Sequence, residues 1–403
     1  MSKVREYVAL RYPCLLQPAS FTHPMRIALI HDWLDTWGGG ENVLAALLAL
    51  YPEAELFALV DFLSDAHRAR LGQRPIRTSF IQRFPFARRH FRKYFALMPH
   101  AVEQFDLSPY PLVISSSHSV AKGVRTGTGQ LHICLCYSPA RYAWDLQPQY
   151  LAQTGLDRGV LGWLARLQLA RFRRWDLRAS ARVDRFVAIS EYIAERIRNC
   201  YRRDADVIYP PVDVPAIQVK GPPRESFYLT VSRLVPYKRI DLLVQAFGTM
   251  PGRQLVVAGD GPEMKKLARL AGSNVRLLGG VDDAHRDRLL RTAKAFVFAA
   301  DEDFGIAPLE AQAQGTPVIA FGRGGSAETI RGLDAAAPTG VLFAEQTTAS
   351  IEAAVAQFEA SAQRITAAAC RANAERFSRQ TFNRRFSAYV ADALAQHRSR
   401  PHA

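Results

Sequence analysis

Ala295-Phe-Val-Phe-Ala-Ala-Asp-Glu-Asp-Phe-Gly-Ile-Ala-Pro-Leu-Glu310 is the stretch on which the fold turns. Its first residues are apolar without alternation, as expected of a strand buried on both faces of a parallel sheet. Asp301 to Gly305 break the run, and Ile306 opens a helical pattern that reaches Gln314. Pro308 falls in the first helical turn, where its missing N–H is no loss. Strand, short loop and helix in this order form part of a βαβ unit.

The same unit repeats on either side. Strands are expected at Phe227–Ser232, Gln254–Ala258, Val275–Leu278 and Pro317–Ala320, with helices at Ile240–Met250, Glu263–Ala271 and Asp283–Ala293. Upstream, Tyr209-Pro-Pro-Val-Asp-Val-Pro215 and Lys220-Gly-Pro-Pro223 are rich in breakers and read as a linker. Before them the alternation runs through strands Arg26–His31, Glu55–Val60, Leu112–Ser116, Leu131–Tyr137, Arg185–Ile189 and Asp206–Tyr209, with helices such as Glu41–Leu50 and Glu191–Cys200. The fold class is therefore α/β, with two Rossmann-like doubly wound domains facing each other across a cleft. The expected divisions are 25–213 and 214–375, followed by a C-terminal helix and tail at 376–403. Residues 1–24 lack periodicity and are expected to be a disordered leader without chemistry.

A chain of 403 residues has room for two such domains. It contains no run of about 20 uncharged apolar residues that could span a bilayer. Arg5 and Arg11 interrupt any secretory h-region. The five cysteines show no metal spacing and read as buried thiols, which fits a reducing, cytoplasmic setting. A net charge of +15 calls for an anionic partner, whether nucleic acid, membrane or substrate. Zinc spacing, RNP-like aromatics and a basic coiled coil are all missing, which argues against nucleic acid.

Ligands of open α/β sheets bind beyond the carboxyl ends of the strands, so the loops there matter most. Trp37-Gly-Gly-Gly-Glu41 lets backbone approach an anion at a helix start, or is a plain tight turn. It is not a G-x-G-x-x-G fingerprint. Arg233 and Lys238, in Val231-Ser-Arg-Leu-Val-Pro-Tyr-Lys-Arg239, suit a diphosphate. Glu302 and Glu310 are spaced by seven residues around free helix amides at Gly305, Ile306 and Ala307, although an acidic loop capping a helix is the simpler reading of composition alone. Phe321-Gly-Arg-Gly-Gly-Ser-Ala-Glu-Thr329 offers a further glycine loop after a strand.

With Glu302-x7-Glu310 enclosing Phe304-Gly305, Ser232-Arg233 followed by Lys238, and Gly259-Asp-Gly-Pro262, the sequence resembles glycosyltransferase family 4, the retaining GT-B enzymes, from about Met25 onward. The resemblance implies sugar transfer from a nucleotide sugar with no metal and no further cofactor. It implies that Arg233, Lys238 and the amides before Pro308 hold the diphosphate, with Phe304, Gly305 and Ile306 at the donor. Glu310 would bind the ribose, Glu302 the donor sugar, and Gly39 and Gly40 would lie across the cleft. Ser115-Ser-Ser-His-Ser-Val-Ala-Lys-Gly123 and Cys134-Leu-Cys-Tyr-Ser-Pro-Ala-Arg-Tyr-Ala-Trp-Asp145 narrow the likeness to bacterial mannosyltransferases acting on lipid-linked oligosaccharides. On that likeness the donor is GDP-mannose, His118 meets the donor sugar, and Tyr137, Arg141 and Tyr142 fall to a lipid-linked or oligosaccharide acceptor. The subgroup usually has His where this chain has Tyr137. A UDP-sugar donor, a nucleotide-sugar epimerase and a basic nucleic-acid-binding protein are the alternative readings.

Two stretches mix cations with apolar residues: Arg83–Phe95, and Arg158–Arg185 with Leu161, Leu164, Phe172 and Trp175 near one helical face. They are expected to rest on an anionic membrane surface, giving peripheral attachment at the inner face, unless the apolar positions pack into the first domain.

Overall fold

The computed structural model describes residues 25–216 and 224–399, so the expectation for residues 1–24 lies outside the described residues. The first half builds a seven-stranded parallel sheet from β1 (Ile27–His31), β2 (Glu55–Ala58), β3 (Ile76–Thr78), β4 (Leu112–Ser117), β5 (Leu131–Cys136), β6 (Arg185–Ala188) and β7 (Asp206–Val207), in the order 3-2-1-4-5-6-7. The second builds a six-stranded parallel sheet from β8 (Tyr228–Val231), β9 (Leu255–Ala258), β10 (Val275–Gly279), β11 (Ala295–Phe298), β12 (Val318–Phe321) and β13 (Gly340–Phe343), in the order 10-9-8-11-12-13. The doubly wound architecture expected from the sequence is present in both halves.

In each sheet the winding reverses between two central strands, β1 and β4 in the first and β8 and β11 in the second. Helices leaving in opposite directions open a crevice at such a reversal. In the first half Asp32 and His118 stand at that point, directly after β1 and β4. In the second half the loops after β8 and β11 bring Arg233, Lys238 and Glu302 to it.

The helix Arg379–Arg398 packs chiefly on the first half, although the second half immediately precedes it. Phe382, Phe386, Val390 and Leu394 join the core of the first half, against the helix Gly39–Leu50 and β5. Four of the five cysteines are described, and all four are buried free thiols. No helix among the described residues is long and apolar enough to cross a membrane.

The basic stretch at Arg158–Arg185 forms the helix Gly159–Ala181, and its apolar residues divide in two. Phe172 and Trp175 are buried in the first half's core, with Phe95 and Tyr142 against Phe172. Val160, Leu161, Trp163 and Leu164, in the first turns, are 75, 67, 61 and 48% exposed. The single amphipathic face expected from sequence is thus corrected: Phe172 and Trp175 are core, and Leu161 and Leu164 face solvent.

Candidate active site

On the second half's side of the cleft, the turn Pro236–Lys238 carries Lys238 over the loop after β11. Its Nζ donates to Glu302 Oε1, and both side chains are 16% exposed. Arg233 is exposed, and its guanidinium has no hydrogen bond or ion pair with the described residues. Gly305 takes a left-handed φ of 82° to start the helix Ile306–Ala313, whose first turn no side chain caps. A cation, an ion pair and an uncapped helix N-terminus therefore share one rim, an arrangement that suits an anion.

Glycines hold this rim together from behind. A Cβ on Gly259 would lie 1.8 Å from the carbonyl oxygen of Ser232, pinning the Arg233 loop against the loop after β9. A Cβ on Gly324 would lie 2.2 Å from the carbonyl oxygen of Glu302. The glycines at 324 and 325 thus let their loop close on the loop of Glu302 and Phe304.

Glu310 lies one turn into the helix Ile306–Ala313. Its carboxylate has no hydrogen bond or ion pair with the described residues and lines a cavity of about 510 Å³ with Trp37, Asn42, Arg70, Asp283 and Arg286. Burial pushes its pKa up, opposed by the nearby Arg286. A half-buried acceptor with no donor among the described residues can take a ligand that brings hydroxyls. An acid with a raised folded pKa destabilises the fold above that value and not below the unfolded one. Glu310→Gln is therefore expected to melt above the parent at neutral pH. It should also bind nucleoside diphosphates about 10–100-fold more weakly, as for a lost hydrogen bond to a charged group. In the parent, affinity should rise with pH as Glu310 ionises and then level off. Calorimetry across pH 4 to 8 on both proteins checks all three.

On the first half's side, Asp32 is fully buried and accepts from the main-chain N–H groups of His118, Ser119, Val120 and Ala121 at 2.5–3.0 Å. His118 Nδ1 lies 2.9 Å from the same carboxylate. Burial opposes the charge on Asp32, but the His118 ring and these donors hold its carboxyl well below the usual range. Burial likewise opposes the imidazolium, and Asp32 outweighs it, so the His118 pKa is raised. With Nδ1 committed, Nε2 is the nitrogen left for a ligand. Below Gly40, Tyr137 OH bonds Ser116 Oγ at 2.7 Å and donates to the Gly40 carbonyl at 3.2 Å. His31 Nδ1 meets Ser116 Oγ at 2.9 Å, and its Nε2 faces Glu41 at 3.6 Å. The two sides of the cleft touch at Gly39, where a Cβ would lie 2.6 Å from Ile306 Cδ1.

The remaining sequence candidates are placed differently. Phe304 is 3% exposed and packs on Tyr209 and Phe377, so only its main chain is available to a donor. Arg141 grips Asp303. Tyr142 OH bonds Ser119 Oγ at 2.5 Å while its ring packs on Phe95 and Phe172. Sequence reasoning missed Asp32, Asp303, Arg196 and Ser116. The signal for Asp32 was available, since an acid directly after a fully apolar strand is the same cue that singled out Arg233. Among the described residues no group of three or more His, Cys, Asp or Glu side chains is placed to hold a metal ion.

Two family models match in tandem: "Glycosyltransferase Family 4" over residues 37–215 and "Glycosyl transferases group 1" over 216–377. The chain belongs to glycosyltransferase family 4. Its GT-B fold is also seen in the solved Anabaena Alr3699/HepE complex with UDP and glucose, at a TM-score of 0.65 and 18% identity, covering 90% of this chain and 99% of that one. Among curated relatives, a D-inositol 3-phosphate glycosyltransferase of Mycobacterium sp. (strain JLS) is 31% identical over 37% of this chain. That match spans 39% of the relative's own length. The alpha-1,3/1,6-mannosyltransferase ALG2 of Saccharomyces cerevisiae is 24% identical over 76% of this chain and 71% of its own.

Proposed function

We propose that this family-4 chain transfers mannose, with retention of configuration, from GDP-mannose to a lipid-linked or oligosaccharide acceptor at an anionic membrane surface. The observation that carries the reading is the rim at β8 and β11: the free Arg233, the Lys238–Glu302 pair and an uncapped helix start, with the unpartnered Glu310 carboxylate one turn away. As the bond from sugar C1 to the diphosphate oxygen breaks, negative charge grows on the leaving group. Arg233, Lys238 and the helix amides are the preorganised donors that would meet it. Glu310 accepts from the ribose hydroxyls and Glu302 from those of the sugar. His118 and the Gly39–Gly40 backbone face the sugar from the other half. The mannose assignment leans on the resemblance of residues 115–145 and on the likeness to ALG2.

Thermal shifts with GDP, UDP, ADP, GDP-mannose and UDP-glucose test the reading. At a hundredfold excess over Kd, binding to the native state adds about 2.7 kcal/mol. A shift confined to guanine nucleotides supports GDP-mannose. A shift confined to UDP compounds keeps the transferase and replaces the donor, as in HepE, which was solved with UDP and glucose. No shift with any of them overturns the reading.

The membrane surface rests on the four exposed apolar residues at the start of the helix Gly159–Ala181, and on Phe86 and Leu97, which are 80 and 40% exposed. The exposed cations Arg88, Arg89, Arg92, Lys93, Arg158 and Arg166 accompany them. Each cation near an anionic leaflet contributes about 1 kcal/mol. Co-sedimentation with phosphatidylglycerol vesicles is expected, and Trp163→Asp with Leu161→Asp should weaken it about tenfold or more. No sedimentation of the parent at low salt rejects the membrane site.

A further inference from the structure

The groups assigned to the donor's diphosphate and ribose lie on the second half, whereas His118, Gly39 and Gly40, assigned to the sugar's other side, lie on the first. Transfer therefore depends on how the two halves are spaced, and among the contacts that bridge them, such as Arg70 to Asp283 at 2.8 Å, one acid makes the most. Asp303 follows Glu302 in the loop before the helix Ile306–Ala313. Its carboxylate is held by two guanidiniums of the opposite half. Arg141 Nε donates to Oδ2 at 2.9 Å and its Nη2 reaches Oδ1; Arg196 Nη1 donates to Oδ1 at 3.1 Å. Arg196 is itself fixed by Asp145 at 2.7 Å and Ser138 at 2.9 Å.

The main chain of Asp303 is gripped as well. Ser190 Oγ donates to its carbonyl oxygen at 2.6 Å, while accepting from Ile193 N–H as the cap of the helix Glu191–Tyr201. The first amides of that helix donate to Glu328 of the second half at 2.8 and 2.9 Å. One helix start of the first half is thus seated on a loop and on the short helix Gly325–Thr329 of the second.

We propose, building on the transferase reading above, that Asp303 is a positioning residue: clasped by Arg141 and Arg196, it sets the Glu302 loop against the His118 side of the cleft. It takes no part in holding the nucleotide, because Arg233, Lys238 and Glu310 do so without it. Misplacing reacting groups by about 1 Å can cost a hundredfold in rate, so loss of the clasp falls on turnover and not on affinity.

Asp303→Asn keeps the shape of the side chain and removes the charge. The Kd for GDP and UDP is expected to stay within about twofold of the parent. The kcat for nucleotide release from GDP-mannose or UDP-glucose, whichever the parent turns over, should fall at least tenfold. Solution scattering of the free protein should show a larger radius of gyration. Arg141→Lys, which keeps a cation but loses the fork, should give the same pattern. The double variant should be no worse than either single one, as for one shared interaction. If Asp303→Asn melts far below the parent, Arg141→Lys carries the test alone.

Parent-like kcat and scattering in both variants overturn the proposal. Nucleotide affinity lost in step with kcat also overturns it, since Asp303 would then touch the donor. If the parent binds no nucleotide, the transferase reading fails instead, and scattering alone decides whether Asp303 holds the halves together.

Discussion

Lys238→Ala is expected to lower kcat/KM for the sugar donor by about 10²–10³-fold, the usual effect of removing one preorganised donor to developing negative charge. Lys238 has two parts to play: in the proposed reaction it is a cation for the diphosphate, and in the structure it neutralises Glu302. Alanine removes both actions, leaving an unpaired carboxylate beside an incoming anion, so both affinity and turnover should fall. Arg233→Ala makes the cleaner comparison. Its guanidinium is exposed and has no partner among the described residues, so its loss should shift stability by no more than about 0.5 kcal/mol. Activity should nonetheless drop. Steady-state kinetics and a melt on the same preparations separate the two cases. Unchanged kinetics in both variants would remove this rim from the chemistry.

The second large effect is on stability. Lys122 and Asp176 are both fully buried, with Nζ 2.6 Å from Oδ1. Lys122 Nζ also donates to the Ser119 carbonyl at 2.7 Å, and Asp176 Oδ2 accepts from Trp144 Nε1 and Tyr201 OH. Burial disfavours the ammonium, but Asp176 outweighs it and the Lys122 pKa is raised. Lys122→Met strands a buried carboxylate, and breaking such a pair from one side destabilises by about 3–5 kcal/mol. For a half of this size that lowers the melting midpoint by roughly 10 °C. Adding Asp176→Leu should recover much of the loss, because no charge then remains to be buried. Differential scanning calorimetry of the single and double variants checks this. A single variant that melts with the parent would mean that the pair contributes nothing to the fold. The Ser119 link also ties the pair to the loop of His118, so the single variant should lose activity before it unfolds.

Strands buried on both faces were placed closely from the sequence. Ile27–His31, Leu112–Ser117 and Ala295–Phe298 are continuous apolar or small-residue runs and fell within about a residue of expectation. Two edge strands were not legible, for different reasons. Ile76–Thr78 has three residues, one of them Arg77, and is only partly buried because β2 covers it from one side. Gly340–Phe343 begins with a glycine just after Pro338, a pattern that reads as a turn. Its glycine is there because a Cβ would come 2.0 Å from the carbonyl oxygen of Val318 in the neighbouring strand. At the candidate site, the loops that follow buried strands drew attention to Arg233, Lys238 and Glu302, whereas His118 came from the family resemblance. Asp303 and Arg196 stayed hidden because their partners are over 100 residues away in the chain, a distance no local pattern encodes. Arg141 was noticed, but its charge is spent on Asp303, which only the three-dimensional arrangement reveals.

The return of the helix Arg379–Arg398 to the first half bears on how this chain can be synthesised. The half made first lacks Phe377, Phe382, Phe386, Val390 and Leu394 until translation has passed the whole second half. A nascent chain paused near Pro215 therefore presents an uncovered apolar groove to its surroundings, and chaperones have a defined window in which to occupy it. A C-terminal truncation would injure the half that lies farthest from it in sequence.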